Sequence, residues 1–203
     1  MDPSAEDPAM TLKRTGRLSR ARWCPSPNFG PRPNAADISL LVVHNISLPP
    51  GRFGGPAIEQ FFCNRLDANE HPYFQTIAGL QVSSHLLIRR DGETVQFVSL
   101  LDRAWHAGRS CFEGRQECND FSIGIELEGA DEVPFTEDQY RTLAATAHDI
   151  MAAWPEITPD RVTGHSDIAP GRKTDPGPAF DWPRFHGLLI RHRAHLDGSA
   201  RQP

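Results

Sequence analysis

The sequence predicts an α/β protein in which a central mixed β-sheet is flanked by helices. Two observations predict this fold. Short apolar runs typical of strands occupy residues 39–128, and two helical patterns follow them toward the C-terminus. The chain has 203 residues, enough for one domain with a sizeable buried core.

Four strands are predicted from the apolar runs. Residues 39–44 form a β-branched run that stops at the polar pair His44 and Asn45, so His44 is expected at the end of a buried strand. The Asp-Gly pair between residues 85–89 and 94–98 is a strong hairpin signal. Residues 121–128 alternate, with one face formed by Phe121, Ile123, Ile125 and Leu127 and the other by Ser122, Gly124, Glu126 and Glu128.

Helical patterns occur at three places. Residues 57–63 are expected to form a short helix. The clearest helix begins at Thr136, because Thr136 and Gln139 have the spacing of a capping box and apolar residues then recur every three or four positions up to Trp154. Pro155 ends that helix, and Asp181 is expected to cap the last one.

Composition limits the partners and the compartment. The net charge of -5 and the lack of a basic run argue against a nucleic-acid partner, and no apolar run is long enough to span a membrane. Residues 1–22 are expected to be a flexible N-terminal extension without the apolar segment of a secretory signal, residues 23–195 the domain, and residues 196–203 a C-terminal tail. The four cysteines show no CxxC spacing, so we expect reduced thiols in a cytoplasmic protein.

Residues 163–178, TGHSDIAPGRKTDPGP, combine metal-binding and proton-transferring side chains, and their Pro and Gly content predicts a loop. A hydrolytic zinc site needs about three protein ligands and an open position for water. His44 and His165 offer imidazoles, and either Asp167 or Asp175 offers a carboxylate; spacing alone does not choose between the aspartates. Taken singly, each of the nine histidines is more often a surface or hydrogen-bonded residue than a ligand.

Two further residues have the chemistry of a hydrolase. Glu126 lies mid-strand, where carboxylates are depleted, and is either part of a solvated face or a general base on the floor of a cleft. Gly124, on the same face, would leave room for a ligand. Lys173 is either simply exposed to solvent or, if Asp175 binds a metal, close enough to the reacting centre to stabilise an oxyanion.

Five motifs in a fixed order carry a family resemblance. They are LVVHNISLPPG at 41–51, HPYF at 71–74, RAWHAG at 103–108, CNDFSIGIELEG at 118–129 and KTDPGP at 173–178. From about Trp23 to Phe185 the chain resembles the cytoplasmic 1,6-anhydro-N-acetylmuramyl-L-alanine amidases of Gram-negative bacteria, enzymes of peptidoglycan recycling. The resemblance implies the fold of phage lysozyme-amidases and peptidoglycan-recognition proteins, with a zinc cleft on one face of the sheet.

The resemblance also implies roles for individual residues. Matched motif by motif, the zinc ligands are His44, His165 and Asp175, the general base is Glu126 and the transition-state stabiliser is Lys173. The implied reaction is hydrolysis of the bond between the lactyl group of 1,6-anhydro-N-acetylmuramic acid and L-alanine. The implied substrate is a soluble muropeptide, the enzyme is expected to be a monomer, and the pathway is linked to β-lactamase induction.

Substrate contacts follow from the same motifs. The resemblance assigns them to Asn45, Tyr73, His85 and Trp105, with Asn45 on the anhydro-sugar. Gln81 departs from the family pattern, which has an arginine suited to a stem-peptide carboxylate.

Two alternatives to this enzyme are a muropeptide-binding module without catalysis and an amidase of the polymeric cell wall. The complete set of chemical groups counts against the first, and the missing secretory signal counts against the second.

Overall fold

The computed structural model describes the backbone of residues 7–199 and the side chains of residues 7–192. The helices in this part of the chain are α1 (Pro8–Thr15), α2 (Ala57–Phe62), α3 (Pro72–Ile77), α4 (Glu137–Ala153), α5 (His165–Ile168) and α6 (Trp182–Ser199). The strands are β1 (Arg22–Trp23), β2 (Phe29–Gly30), β3 (Leu40–Ile46), β4 (Leu86–Ile88), β5 (Thr94–Gln96), β6 (Arg103–Ala104), β7 (Cys111–Phe112), β8 (Arg115–Gln116), β9 (Ser122–Glu128) and β10 (Val162–Gly164).

A mixed sheet forms the centre of the fold, which confirms the predicted class. Its strand order is β1-β5-β4-β9-β3-β10; β4 and β5 are antiparallel, as the hairpin signal predicted, and the other neighbours are parallel. Strand β9 is buried along its whole length, as is usual for a parallel strand covered on both sides. The polar face predicted for β9 is therefore not a solvated face.

One face of the sheet packs against α1, α4 and α6. Ile123, Ile125 and Leu127 of β9 lie in this core, whereas Phe121 precedes the strand and packs elsewhere with Leu40 and Val42. The helix boundaries follow the sequence signals. Thr136 and Gln139 form the expected capping box, α4 ends before Pro155, and the Asp181 carboxylate accepts a hydrogen bond from the Arg184 backbone at 2.9 Å.

The N-terminal segment differs from the expected flexible extension. Over the described residues 7–22 it forms α1 and enters β1, so the expected boundary at residue 22 falls inside a strand. Leu12 and Leu18 are buried in the main core, and the Gln96 side chain accepts from the Leu18 backbone and donates to the Gly16 carbonyl. Burial of these two leucines holds a segment that its polar composition alone would leave loose.

The C-terminal boundary also differs, since α6 continues to Ser199 and passes the predicted domain end at residue 195. Residues 1–6 and 200–203, which the predicted extension and tail include, lie outside the described residues. No helix within the described part of the chain is both long enough and apolar enough to cross a membrane.

The stretch predicted to be a loop begins with regular structure. Residues 162–164 are β10, which pairs in parallel with β3, and α5 follows as a single turn. Apart from Gly164, the Pro and Gly residues of this stretch begin at Pro170. Gly164, the last residue of β10, pairs with Val43 of β3. The residues that follow them, His165 at the start of α5 and His44 in β3, therefore come to the same edge of the sheet. A second unpredicted element is α3, where the sequence indicated only a connection; the His71 ring caps it by accepting from the Tyr73 backbone at 3.1 Å.

Candidate metal centre and substrate cleft

Strand register places the first two site residues side by side. His44 of β3 pairs with Glu126 of β9 on the neighbouring parallel strand. Paired residues of adjacent strands project from the same face of a sheet. That face is opposite the core formed with α4 and α6, so both side chains point toward the cleft.

His44, His165 and Asp175 form a compact cluster. Nδ1 of His44 lies 3.0 Å from Nδ1 of His165 and 3.0 Å from Oδ2 of Asp175, and His165 Nδ1 lies 3.1 Å from the same oxygen. Both histidines are buried and Asp175 is half-buried. Although burial alone would raise it, the neighbouring His165 and His44 rings hold the pKa of Asp175 well below its ordinary value. Burial lowers the pKa of His44 to about 4, which favours a neutral imidazole.

The structure separates the two aspartates that spacing could not. Asp167 is exposed, and its Oδ2 accepts from the Gly164 backbone at 2.9 Å and from the Thr163 hydroxyl at 3.0 Å. That carboxylate caps its own turn, whereas Asp175 meets both histidines.

The cluster fits a zinc ion by its donor set and spacing. Two imidazole nitrogens and one carboxylate oxygen are the ligands of many catalytic zinc sites, and with bonds of about 2.0–2.1 Å such ligand atoms lie about 3.3 Å apart. The three separations of 3.0–3.1 Å are close to that value. The His165 Nε2–H donates to the Ala107 carbonyl at 3.0 Å, so its Nδ1 carries the lone pair that a metal requires.

Glu126 is a buried carboxylate with an unusual environment. It is 8% exposed, and its Oε2 has no hydrogen-bond partner among the described residues. Burial, together with the nearby Asp175 carboxylate, raises the pKa of Glu126 well above its ordinary value, and Lys173 opposes this shift. A carboxylate with a raised pKa is a stronger base than an ordinary surface glutamate.

Lys173 is exposed and lines the same cleft. Its positive charge acts on both His44 and Glu126, which places its side chain near the cluster. The Lys173 backbone donates to the Ala169 carbonyl at 3.0 Å, and this bond fixes the start of the loop that carries Asp175.

A cleft of about 580 Å³ surrounds these groups. Three of the four residues expected to contact substrate line it: Asn45, Tyr73 and Trp105. Asn45 donates through Nδ2 to Asp131 at 2.7 Å and to the Pro176 carbonyl at 3.0 Å, so its side-chain oxygen remains the atom that can accept from a ligand. Gln81 is exposed between Leu80 and Val82, which both line the cleft.

His85 is not in the cleft, contrary to the expectation for this residue. It is completely buried, its Nδ1 accepts from the Gly124 backbone at 3.0 Å, and its Nε2–H donates to the Asp102 carbonyl at 3.0 Å. Burial, with the charge of Arg32 second, lowers the pKa of His85 to about 3. The ring therefore links the backbone of β9 to the Asp102 carbonyl inside the protein.

Gly124 also differs from expectation, because the room it leaves is filled by protein. A Cβ at this position would lie 2.5 Å from Cγ of His106. His106 thereby packs against the strand, with its Nδ1 2.9 Å from Nε2 of His44. Sequence reasoning missed this contact, and it missed Asp131 as the partner of Asn45, because both depend on how separate loops meet.

The fold and the site define a class of hydrolases. The chain belongs to the N-acetylmuramoyl-L-alanine amidase family, whose model matches residues 34–178. This confirms the resemblance drawn from the motifs, and the chain is an N-acetylmuramoyl-L-alanine amidase.

Particular members are similar over most of their length. The 1,6-anhydro-N-acetylmuramyl-L-alanine amidase AmpD of Salmonella typhimurium strain SL1344 is 58% identical over 178 residues, covering 88% of this chain and 95% of the relative. A crystal structure of a selenomethionine derivative of AmpD superposes with a TM-score of 0.84 at 57% identity, covering 86% of this chain and 97% of that one. The amidase AmiD from E. coli, in complex with anhydro-N-acetylmuramic acid-L-Ala-D-γ-Glu-L-Lys, gives a TM-score of 0.55 at 33% identity over 74% of this chain and 57% of that one.

Proposed function

We propose that this chain is a zinc-dependent amidase that hydrolyses the bond between the lactyl group of 1,6-anhydro-N-acetylmuramic acid and L-alanine. The observation that carries the proposal is one cleft that holds the cluster of His44, His165 and Asp175 beside Glu126, whose buried Oε2 has no partner among the described residues. The substrate is supported by the AmpD relatives, which are named for it, and by the anhydro-muropeptide bound to AmiD.

The chain's own residues supply the proton transfers. A zinc ion held by the cluster would polarise water and the scissile carbonyl. Glu126 takes a proton from the attacking water, since burial raises its pKa, and then delivers a proton to the leaving amine of L-alanine.

Lys173 and Asn45 bind the substrate around that step. The Lys173 ammonium donates to the carbonyl oxygen as negative charge develops there. The Asn45 side-chain oxygen accepts a hydrogen bond from the sugar, and Asp131 holds the amide in that orientation.

We place this reaction in the cytoplasm, in the recycling of soluble muropeptides, with the monomer as the active unit. The described cysteines are free, including Cys24 and Cys63, whose Sγ atoms are only 3.6 Å apart, which fits a reducing compartment. Sedimentation velocity of the purified protein tests the oligomeric state.

Metal content tests the ligand set. Zinc is measured by elemental analysis in the wild type, in Asp175→Ala and in the matched control Asp167→Ala. One zinc per chain is expected in the wild type and the control, and loss of metal and activity is expected in Asp175→Ala. Equal zinc and full activity in both variants would contradict the assignment of Asp175.

Substrate preference tests the reaction. The release of L-alanyl peptides is compared for soluble anhydro-muropeptide and intact sacculi. Turnover of the soluble substrate is expected. Preference for sacculi would identify a wall-remodelling amidase, and tight binding without turnover would identify a binding module.

A further inference from the structure

The segment between β6 and β7 touches both histidines of the cluster from outside. The Ala107 carbonyl accepts from Nε2 of His165 at 3.0 Å, and the His106 ring meets Nε2 of His44 at 2.9 Å. The Asn119 side-chain oxygen fixes the segment, because it accepts from the backbone amides of His106 at 3.1 Å and Ala107 at 2.8 Å. One short stretch of chain therefore contacts both imidazoles at the nitrogen that faces away from Asp175.

If His44 binds a metal, the donor and the acceptor of each hydrogen bond of His106 are determined. Nδ1 of His44 faces the cluster and must keep its lone pair, so the proton of His44 is on Nε2. That Nε2–H then donates to Nδ1 of His106, which places the His106 proton on Nε2, 3.1 Å from the Ser122 hydroxyl. The chain of donors runs from His44 through His106 to Ser122.

The position of His106 is set by packing as well as by these bonds. Its ring occupies the space over Gly124, where any side chain would collide with it. It meets the His44 ring edge-on, with centroids 5.0 Å apart. The acceptor atom is thus held in place before any metal binds.

We propose that His106 is a positioning residue that fixes the tautomer and orientation of His44 for metal binding, while the neighbouring Ala107 carbonyl does the same for His165. This inference rests on the proposed zinc dependence. Partners of this kind orient metal-bound histidines, and their loss costs about 10–100-fold in metal affinity.

Zinc affinity, measured by competition with a chromogenic chelator, tests the proposal. His106→Phe keeps a ring of similar size and removes the acceptor, so the zinc dissociation constant should rise about 10–100-fold. His106→Asn places an oxygen near the position of Nδ1, and its affinity should lie closer to that of the wild type. His148→Phe makes the same change on the far side of the fold and should leave zinc affinity unchanged.

The outcomes separate this inference from the proposed function. Wild-type protein that binds no zinc would contradict the proposed function itself. Wild-type protein that binds zinc, with His106→Phe binding equally well or His106→Asn binding as poorly as Phe, would overturn the role of His106. Melting temperatures are measured on the metal-free variants. A variant that only fails to orient His44 should melt near the wild-type temperature, whereas a variant that fails to fold should melt well below it.

A measurement on the unmodified protein does not depend on any variant. Imidazole nitrogen chemical shifts of the zinc-loaded wild type report which ring nitrogen carries each proton. Nε2–H tautomers are expected for both His44 and His106. A proton on Nδ1 of His106 would overturn the proposal, since that nitrogen could then not accept from His44.

Discussion

Replacing Glu126 with glutamine separates the chemical step from metal binding. Glutamine keeps the shape of the side chain and removes the base. Glu126 is not part of the three-residue cluster, and its Oε2 has no hydrogen-bond partner among the described residues. The substitution should therefore leave the zinc content unchanged while the reaction slows.

The expected loss of rate follows from the role of a positioned base. Removing such a group lowers kcat by about 10²–10⁴, which corresponds to about 2.7–5.4 kcal/mol of transition-state stabilisation. The pH profile should change as well. The pKa of Glu126 lies well above 4.5 because of burial, so wild-type activity should fall as the pH drops through that raised value, and this acid limb should be absent from Glu126→Gln.

Stability should change in the opposite direction from activity. Folding raises the pKa of the Glu126 carboxyl above its ordinary value of 4.5. Below pH 4.5 the carboxyl is protonated in both the folded and the unfolded state and has no effect on stability. As the pH rises above 4.5, the unfolded state loses the proton more readily, and the folded protein is destabilised. The metal-free Glu126→Gln protein should therefore melt at a higher temperature than the wild type at pH 7, and the difference should disappear near pH 4.

The matched control is Glu128→Gln, the same change two residues along the same strand. Glu128 pairs with Arg89 and accepts from the Gly54 backbone at 2.6 Å, so this control should lose stability but keep its pH profile. The assay is peptide release at saturating zinc, with metal content and melting temperature measured on the same samples. Loss of zinc in proportion to activity in Glu126→Gln would refute its role as a base.

Three further substitutions probe the oxyanion, the stem peptide and an ion pair away from the cleft. Lys173→Met should retain zinc and lose about 10²–10³ in kcat while keeping the acid limb; an unchanged kcat would exclude an electrophilic role. Gln81→Arg should lower KM for peptide-bearing substrates with little change in kcat, and no change in either would show that another residue binds the carboxylate. Glu59→Gln should destabilise the protein by about 1–3 kcal/mol at pH 7 in urea unfolding, because hydrogen bonds from Arg22 and Arg89 hold the pKa of Glu59 at about 2. That difference should shrink as the pH falls from 4.5 toward 2, and a constant difference would contradict it.

Local sequence signals predicted the elements whose causes are local. The capping box at Thr136, the Asp-Gly hairpin and the β-branched run before His44 each act over a few residues, and each element formed where expected. Helix α1 was missed because the polar composition of residues 1–22 predicts a flexible extension, although Asp7 caps the helix and Gly16 ends it.

Predicting the residues of the site required knowing which loops lie next to one another in the folded chain. Spacing left Asp167 and Asp175 equivalent, and the family resemblance chose between them; in the structure Asp167 caps a turn and Asp175 meets the histidines. Neither residue spacing nor the family resemblance predicted the positions of His85 and His106. Both are histidines near β9, but only the three-dimensional packing shows that His106 touches His44, whereas the His85 ring is fully buried and accepts from the Gly124 backbone.

The proposed reaction is zinc-dependent cleavage of the bond between the anhydro-sugar and L-alanine. It is tested most directly by following release of the L-alanyl peptide from purified 1,6-anhydro-N-acetylmuramyl-peptide before chelation, after chelation and after zinc is restored. Rapid release, loss of release on chelation, and recovery with about one zinc per chain are expected. Full activity in the chelated protein, or no release of peptide from this substrate with zinc bound, would contradict it.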